Sequence, residues 1–410
     1  MTIFKTGSIL VKVNKLEKDK KIGIGVIGCG SIAEIAHLPS ISKCPDVELI
    51  AVCDTNEKTA TSAAKKWKAK AYYTDYKKML EERKDLNAVV IASPPNVHCE
   101  QGIACAEAGL HVLIEKPLAV TNREAWDIVN ACRKAKVKIM VGCDRRFWPQ
   151  NQWAKKLIEE GIIGKVMMGR ATMHEHVKFY QENIAFTDFR LHPEIAGGSA
   201  VADTGAHAID LLVWLIDSPV KRVIGIAERR VLPEENWGKC DDTAVIMMEH
   251  ENRAISYVSC NRFTPAVSQF TELYGTMGTI LTCSDATNPF QTAPLAVYTD
   301  KDYEYNELPE IIRKYRWPHI FWAEDLITHP VQKRWVSIYP PREPNNYYYL
   351  FQHFLDCIIN DKEPLTKGED GARAVEVMCA VFKSMETKGW VDLPLKEEVV
   401  PPYYTPYYRK

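Results

Sequence analysis

Residues 22–33 read Ile-Gly-Ile-Gly-Val-Ile-Gly-Cys-Gly-Ser-Ile-Ala, an apolar run closed by two glycines and followed by the start of a helix. The run Ile22 to Ile27 is too short for a buried helix, so it reads as a strand of a parallel sheet, buried on both faces. Gly28 allows a tight turn, Gly30 allows a pyrophosphate to approach the backbone, and Ala33 takes the third, small position where helix packs on strand. In this Gly-x-Gly-x-x-Ala arrangement the N–H groups at the helix start, Ser31 and Ile32 among them, face the phosphates, whose charge the helix dipole favours.

Any strand-to-helix turn can use glycine for geometry alone, so the stronger signal lies further along the chain. A second apolar strand, Val47 to Cys53, ends at Asp54, about 20 residues past the turn, where a dinucleotide fold places the carboxylate that holds the ribose hydroxyls. Asp54 predicts NAD rather than NADP, because a 2′-phosphate would meet a like charge there.

Strand and helix patterns then alternate. Strands are expected at Ala71 to Tyr73, Ala88 to Ala92, His111 to Ile114 and Lys138 to Gly142, with helices between them, which implies a doubly wound parallel sheet over residues 22–145. Beyond about residue 145 the pattern changes to consecutive strands: Val166 to His176, Val220 to Arg230, Thr243 to His250, Ala254 to Arg262 and Gln269 to Leu281. These predict an α+β domain over 146–395 with a large open, mainly antiparallel sheet. One long helical stretch, Ala202 to Ile216, interrupts them, and helices near Asn346 to Ile359 and Glu369 to Thr387 close the domain. Residues 1–21 form an N-terminal extension with a short strand at Ser8 to Val13, and 396–410 a Tyr/Pro-rich tail. The tail's tyrosines suit docking on a neighbouring subunit or a disordered terminus. The segment from 290 to 345 is rich in Tyr and Trp; it suits either a wall for a sugar or aglycone or a subunit interface.

The chain has 410 residues, 52 Lys and Arg against 53 Asp and Glu, and a net charge of −1. That balance gives no global pull toward nucleic acid or an anionic membrane. The twelve cysteines are scattered without a Cys-x-x-Cys pair, so they read as reduced core residues. With no signal peptide or membrane span evident, the cytoplasm is the expected compartment.

Ligands of an open parallel sheet bind beyond the carboxyl ends of its strands. Three such ends carry polar residues: Ser93-Pro94-Pro95-Asn96-Val97-His98, Glu115-Lys116-Pro117 and Asp144-Arg145-Arg146-Phe147. Lys116 at a buried strand end is a candidate to hold a substrate hydroxyl, although alone it reads as readily as a structural ion-pair lysine. Asp203 and His207 lie four apart, on one helix face, and Asp210, three further on, is a candidate to orient the imidazole or cap a turn. Histidine titrates near neutrality, which suits accepting a hydroxyl proton as hydride leaves the same carbon. The same spacing describes a core histidine tied to an aspartate one turn away.

These motifs, with Gly197-Gly-Ser-Ala-Val-Ala-Asp203, Gly205, His207 and Asp210, resemble the Gfo/Idh/MocA oxidoreductases, the group of glucose-fructose oxidoreductase and inositol dehydrogenase, over roughly residues 20 to 395. The resemblance implies that Lys116, Asp203 and His207 are the catalytic group, with His207 as general acid/base, and that the Lys116–Pro117 bond is cis. The motifs and the resemblance together assign Gly28, Gly30, Ser31, Ile32, Asp54, Ser93, Pro94, Asn96, His98, Glu115, Lys116 and Arg145 to the cofactor. Arg146, His174, His176 and Arg190 join the catalytic group as candidate substrate contacts. His174 and His176 share a strand face, but two histidines without a third ligand make no metal site. The expected protein is an NAD-dependent dehydrogenase of a sugar, cyclitol or glycoside, with oxidation at ring carbon 3 of a glycosyl group fitting. An open sheet that needs covering predicts a homo-oligomer, a dimer or larger. A redox-assisted glycosidase using held NAD is the alternative. A non-catalytic dinucleotide sensor is a second, against which the joint presence of Lys116, Asp203 and His207 argues.

Overall fold

The computed structural model describes residues 21–175, 189–232, 239–264, 268–283, 293–317, 333–341 and 346–406. The strand expected at Ser8 to Val13 and the candidate His176 lie outside them.

Strands β1 (Ile22–Ile27), β2 (Val47–Cys53), β3 (Ala71–Tyr73), β4 (Ala88–Ile91), β5 (His111–Ile114) and β6 (Ile139–Val141) form an all-parallel sheet in the order β3-β2-β1-β4-β5-β6. Every residue of β1 is buried, as its unbroken apolar run requires. The order reverses between β1 and β4, so a crevice opens beyond their carboxyl ends. Helix Asn122–Ala135 starts in a capping box, Thr121 and Glu124 each satisfying the other's backbone N–H. The helix after the glycine turn widens over Ala33–His37, where Leu38 N–H donates to Ala33 O five residues back. Pro39 follows directly and has no N–H to continue the regular ladder. The wide turn places His37 Nε2 2.7 Å from Glu115 Oε1.

The second sheet contains β7 (Val166–His174), β8 (Val220–Glu228), β9 (Thr243–His250), β10 (Ile255–Asn261), β11 (Ser268–Gly275), β12 (Gly278–Cys283), β13 (Leu295–Thr299), β14 (Arg316–Trp317), β15 (Trp335–Ile338) and β16 (Val391–Asp392). They run in the order β14-β15-β13-β12-β11-β7-β10-β9-β8-β16. Neighbours are antiparallel except β7 and β10, which pair in parallel. The single strand expected from Gln269 to Leu281 is instead a hairpin that turns at Thr276 and Met277, with Tyr274 opposite Thr279. Helices Gly205–Ile216 and Gly368–Thr387 cover one face: Leu212 and Ile216 sit over Gly169, and Ser384 Oγ accepts from Gly225 N–H at 3.0 Å.

Helix Asn346–Ile359 does not close the second sheet. Its Leu350, Phe351, Phe354 and Leu355 pack with Ile24, Val26, Val52 and Val90 of the parallel sheet. Thr366 O accepts from Val141 N–H at 2.9 Å, covering the β6 edge. The tail also returns to this half of the same chain: Val399 N–H donates to Asn122 Oδ1, and the buried Tyr404 hydroxyl to Glu124 Oε1 at 2.8 Å. All twelve cysteines are buried and free, as core thiols should be. Among the described residues, the run Pro193–Ile216 is the one segment long and apolar enough to cross a membrane, and 78% of its apolar window is buried inside the protein.

Phe354→Ala should therefore destabilise the protein by about 3–5 kcal/mol and lower the thermal midpoint of the parallel-sheet half. A change under about 1 kcal/mol, the scale of an exposed site, would detach this helix from that core.

Candidate active site

A cleft of about 1180 Å³ lies at the carboxyl ends of the parallel strands and runs to the second sheet. At one end the glycine turn divides its work between two residues. Gly28 has φ +90°, and a Cβ there would stand 2.6 Å from the backbone C of Ala92 and N of Ser93. Gly30 would meet nothing within 4 Å. The fold itself requires the first glycine; the second leaves open space against the helix start. The first helical hydrogen bond is Glu34 N–H to Gly30 O, so the N–H groups of Ser31 and Ile32 precede it, and both residues line the cleft. Asp54 ties the turn to β2: Oδ2 accepts from Cys29 N–H and Oδ1 from Asn56 N–H, both at 2.9 Å. Open space at Gly30, a free helix start and a carboxylate at the end of β2 fit a dinucleotide.

Ser93, Pro94 and Asn96 line the same cleft, as do Glu115, Lys116 and Arg145. His98 does not. It is fully buried beneath, with Nε2 2.8 Å from Ser93 O and Nδ1 3.0 Å from Pro117 O. It pins the loops after β4 and β5 together, and burial draws its pKa down. The Lys116–Pro117 peptide bond is cis.

At the other end Asp203 is the centre of a cationic clamp. Lys116 Nζ is 2.6 Å from its Oδ1; Arg190 Nε and an Arg262 guanidinium nitrogen stand 2.9 and 3.0 Å from its Oδ2. Burial acts to raise this carboxyl, but Arg190, Lys116 and Arg262 outweigh it and hold it well below the usual range. His207, one turn on in helix Gly205–Ile216, faces the same cleft. Burial, reinforced by Lys116 and Arg145, holds its imidazole well below the ordinary value, so the ring is neutral at neutral pH. Just before that helix the backbone widens over Ala200–Thr204, with Ser199 and Val201 N–H groups donating to the Asp241 carboxylate at 2.7 Å.

Three candidates fall elsewhere. Arg146 turns away from the cleft into a buried pair with Asp210 at 2.6 Å, and reaches Asp370 at 3.0 Å. Asp210 therefore does not orient the imidazole. His174 points to the outer face of the second sheet, where Nε2 meets Ser259 Oγ at 3.0 Å; it is Met173 and Glu175, of opposite parity, that line the cleft. Sequence reasoning passed over Arg262 and Glu175. The parallel pairing of β7 with β10 brings their carboxyl ends together, so Arg262 reaches both Glu175, at 3.3 Å, and Asp203. A polar residue just past each strand end was the available signal.

Residues 22–143 match the oxidoreductase family with an NAD-binding Rossmann fold, and residues 151–281 match the GFO/IDH/MocA C-terminal domain. The chain belongs to the GFO/IDH/MocA family of NAD-binding oxidoreductases. It is 27% identical over 380 residues to myo-inositol 2-dehydrogenase of Thermotoga maritima, covering 92% of this chain and 99% of the relative. It is 26% identical over 217 residues to D-glucoside 3-dehydrogenase of Escherichia coli, covering 53% and 60% of the two chains. A solved levoglucosan dehydrogenase, in complex with NADH and levoglucosan, shares the fold with a TM-score of 0.75 at 22% identity, over 92% of this chain and all of that one.

The two glycines should separate experimentally. Gly28→Ala forces a backbone collision and should lower thermal stability. Gly30→Ala should melt like the wild type yet weaken NAD binding at least tenfold, as read by titration of the purified protein; unchanged affinity would move the pyrophosphate elsewhere.

Proposed function

We propose that the protein is an NAD-dependent dehydrogenase that oxidises a secondary carbinol of a sugar, cyclitol or glycoside, with His207 as general base. The observation that carries this reading is the convergence of Lys116, Asp203 and His207 in one cleft with Gly28, Gly30 and Asp54. Bound NAD supplies the hydride acceptor. His207, neutral at working pH, accepts the hydroxyl proton as the carbon–hydrogen bond breaks. The Lys116 ammonium donates to the reacting oxygen and stabilises the charge that develops on it. Asp203, fixed by its cations, accepts from an adjacent hydroxyl and so orients the ring. Myo-inositol, levoglucosan and D-glucosides, the compounds that name these relatives, all carry neighbouring secondary hydroxyls on a six-membered ring. Ring carbon 3 of a glucoside is a position that suits this pair of hydroxyl-binding groups.

Asp54 supports NAD over NADP, since a 2′-phosphate would approach its carboxylate. The outer face of the second sheet exposes Met168, Ile226, Val245, Met247 and Ile255, an apolar surface that supports homo-oligomerisation. The buried free thiols support a reducing, cytoplasmic setting.

The test is NADH formation with NAD and a panel of myo-inositol, levoglucosan, methyl β-D-glucoside and an aryl glucoside. At least one should yield steady net NADH. Glycoside cleavage without NADH accumulation would replace this reading with the redox-assisted glycosidase. His207→Asn should retain NAD binding and lose turnover by about 10²- to 10⁴-fold. Asp54→Ser should weaken NAD binding by about tenfold or more, as the loss of a charged hydrogen bond does, and narrow the preference over NADP; an unchanged ratio would free Asp54 from that role.

A further inference from the structure

We infer that Asp144 is a positioning residue for His207: its carboxylate selects the ring tautomer and supports the imidazolium formed when the substrate proton arrives. The inference rests on His207 being the base.

Asp144 follows β6 closely, in the short helical turn Asp144–Phe147, and its side chain is 6% exposed. Its Oδ1 stands 3.4 Å from His207 Nδ1. Both are buried atoms without a hydrogen-bond partner among the described residues, so each can satisfy the other; Arg145 Nε, the other donor near Oδ1, is further away at 3.9 Å. At 3.4 Å the contact is longer than a good N–H···O bond. A closure of a few tenths of an ångström makes one, as catalytic hydrogen bonds often do when substrate binds. The carboxylate is itself held in orientation. Trp148 Nε1–H donates to Oδ2 at 3.1 Å, and Asn346 Nδ2 lies 3.5 Å from the same oxygen.

A neutral imidazole carries one N–H. With the proton on Nδ1, directed at Asp144, Nε2 keeps a lone pair for the substrate hydroxyl; with the proton on Nε2 the ring cannot act as that base. An ionised carboxylate only accepts, so Asp144 selects the first tautomer. Lys116, Arg145 and Arg190 oppose protonation of the ring and Asp203 favours it, but Asp203 is already shared among three cations. Asp210, on the next turn, is taken by Arg146. Among the described residues, Asp144 is the carboxylate within ion-pair distance of the imidazole.

The experiment compares wild type, Asp144→Asn and His207→Asn with NAD and the fastest-oxidised of myo-inositol, levoglucosan and methyl β-D-glucoside. Asp144→Asn keeps the side-chain shape, so thermal midpoint, NAD affinity and substrate KM should stay near wild type. Its kcat should fall about 10- to 100-fold. The acid limb of its pH–kcat profile should move to lower pH, because removing the carboxylate makes the imidazolium easier to deprotonate. A wild-type kcat and acid limb in Asp144→Asn, with His207→Asn inactive, would overturn the inference and leave His207 as base. An active His207→Asn would overturn both. A second measurement needs no Asp144 variant: nitrogen-15 spectra of histidine-labelled wild type, with the His207 signal assigned by its loss in His207→Asn. The inference requires Nδ1–H and a bare Nε2; the opposite tautomer would overturn it.

Discussion

The ion pair between Lys116 and Asp203 joins the two sheets at the point where chemistry is proposed. Lys116 comes from the end of β5, and Asp203 from the segment leading into helix Gly205–Ile216. Left alone, a buried carboxylate of this kind would cost several kcal/mol of desolvation; Arg190 and Arg262 complete its shell. The clamp does more than offset burial. It keeps Asp203 ionised, while burial, reinforced by Lys116, Arg145 and Arg190, keeps His207 neutral, so two neighbouring groups hold opposite protonation tendencies. Such divergence is what a site needs in order to accept a proton at one atom and hold a hydroxyl at another.

The geometry follows from where strands end. In the parallel sheet the order reversal places the Gly28–Gly30 turn, the loop after β4 and the Lys116 loop along one crevice. In the second sheet the parallel pair among the described strands, β7 with β10, brings Glu175 to the same cleft and the buried Arg262 against Asp203. Structural histidines do quieter work: His98 binds two loops to each other, and His37 holds Glu115 beneath the lysine.

Much of this was legible because its signals are local. The strand-turn-helix grammar of residues 22–54 and the alternation up to β6 need only neighbouring residues, and Asp203 and His207 still meet in one cleft although Asp203 lies within the widened turn. Other features depend on which way a side chain turns. Arg145 and Arg146 are adjacent and chemically identical; only the turn Asp144–Phe147 sends one to the cleft and the other to Asp210. His174 lay on the wrong face because sheet parity is set by pairing partners about 87 residues away, beyond any local pattern. Helix Asn346–Ile359 looked like part of the half it follows in sequence; its apolar stripe gives no address, and only packing shows that it completes the other.

That displacement bears on how the protein is made. The nucleotide-binding half is spelled first, yet its core lacks Leu350, Phe351 and Phe354, its β6 edge lacks Thr366, and its helix Asn122–Ala135 lacks Val399 and Tyr404 until the chain is almost finished. A domain emerging from the ribosome would ordinarily close as a unit behind the exit tunnel. Here the first half waits, with apolar strand surface uncovered, for segments that arrive more than two hundred residues later. The order of domains along the chain is therefore not the order in which their cores can be completed.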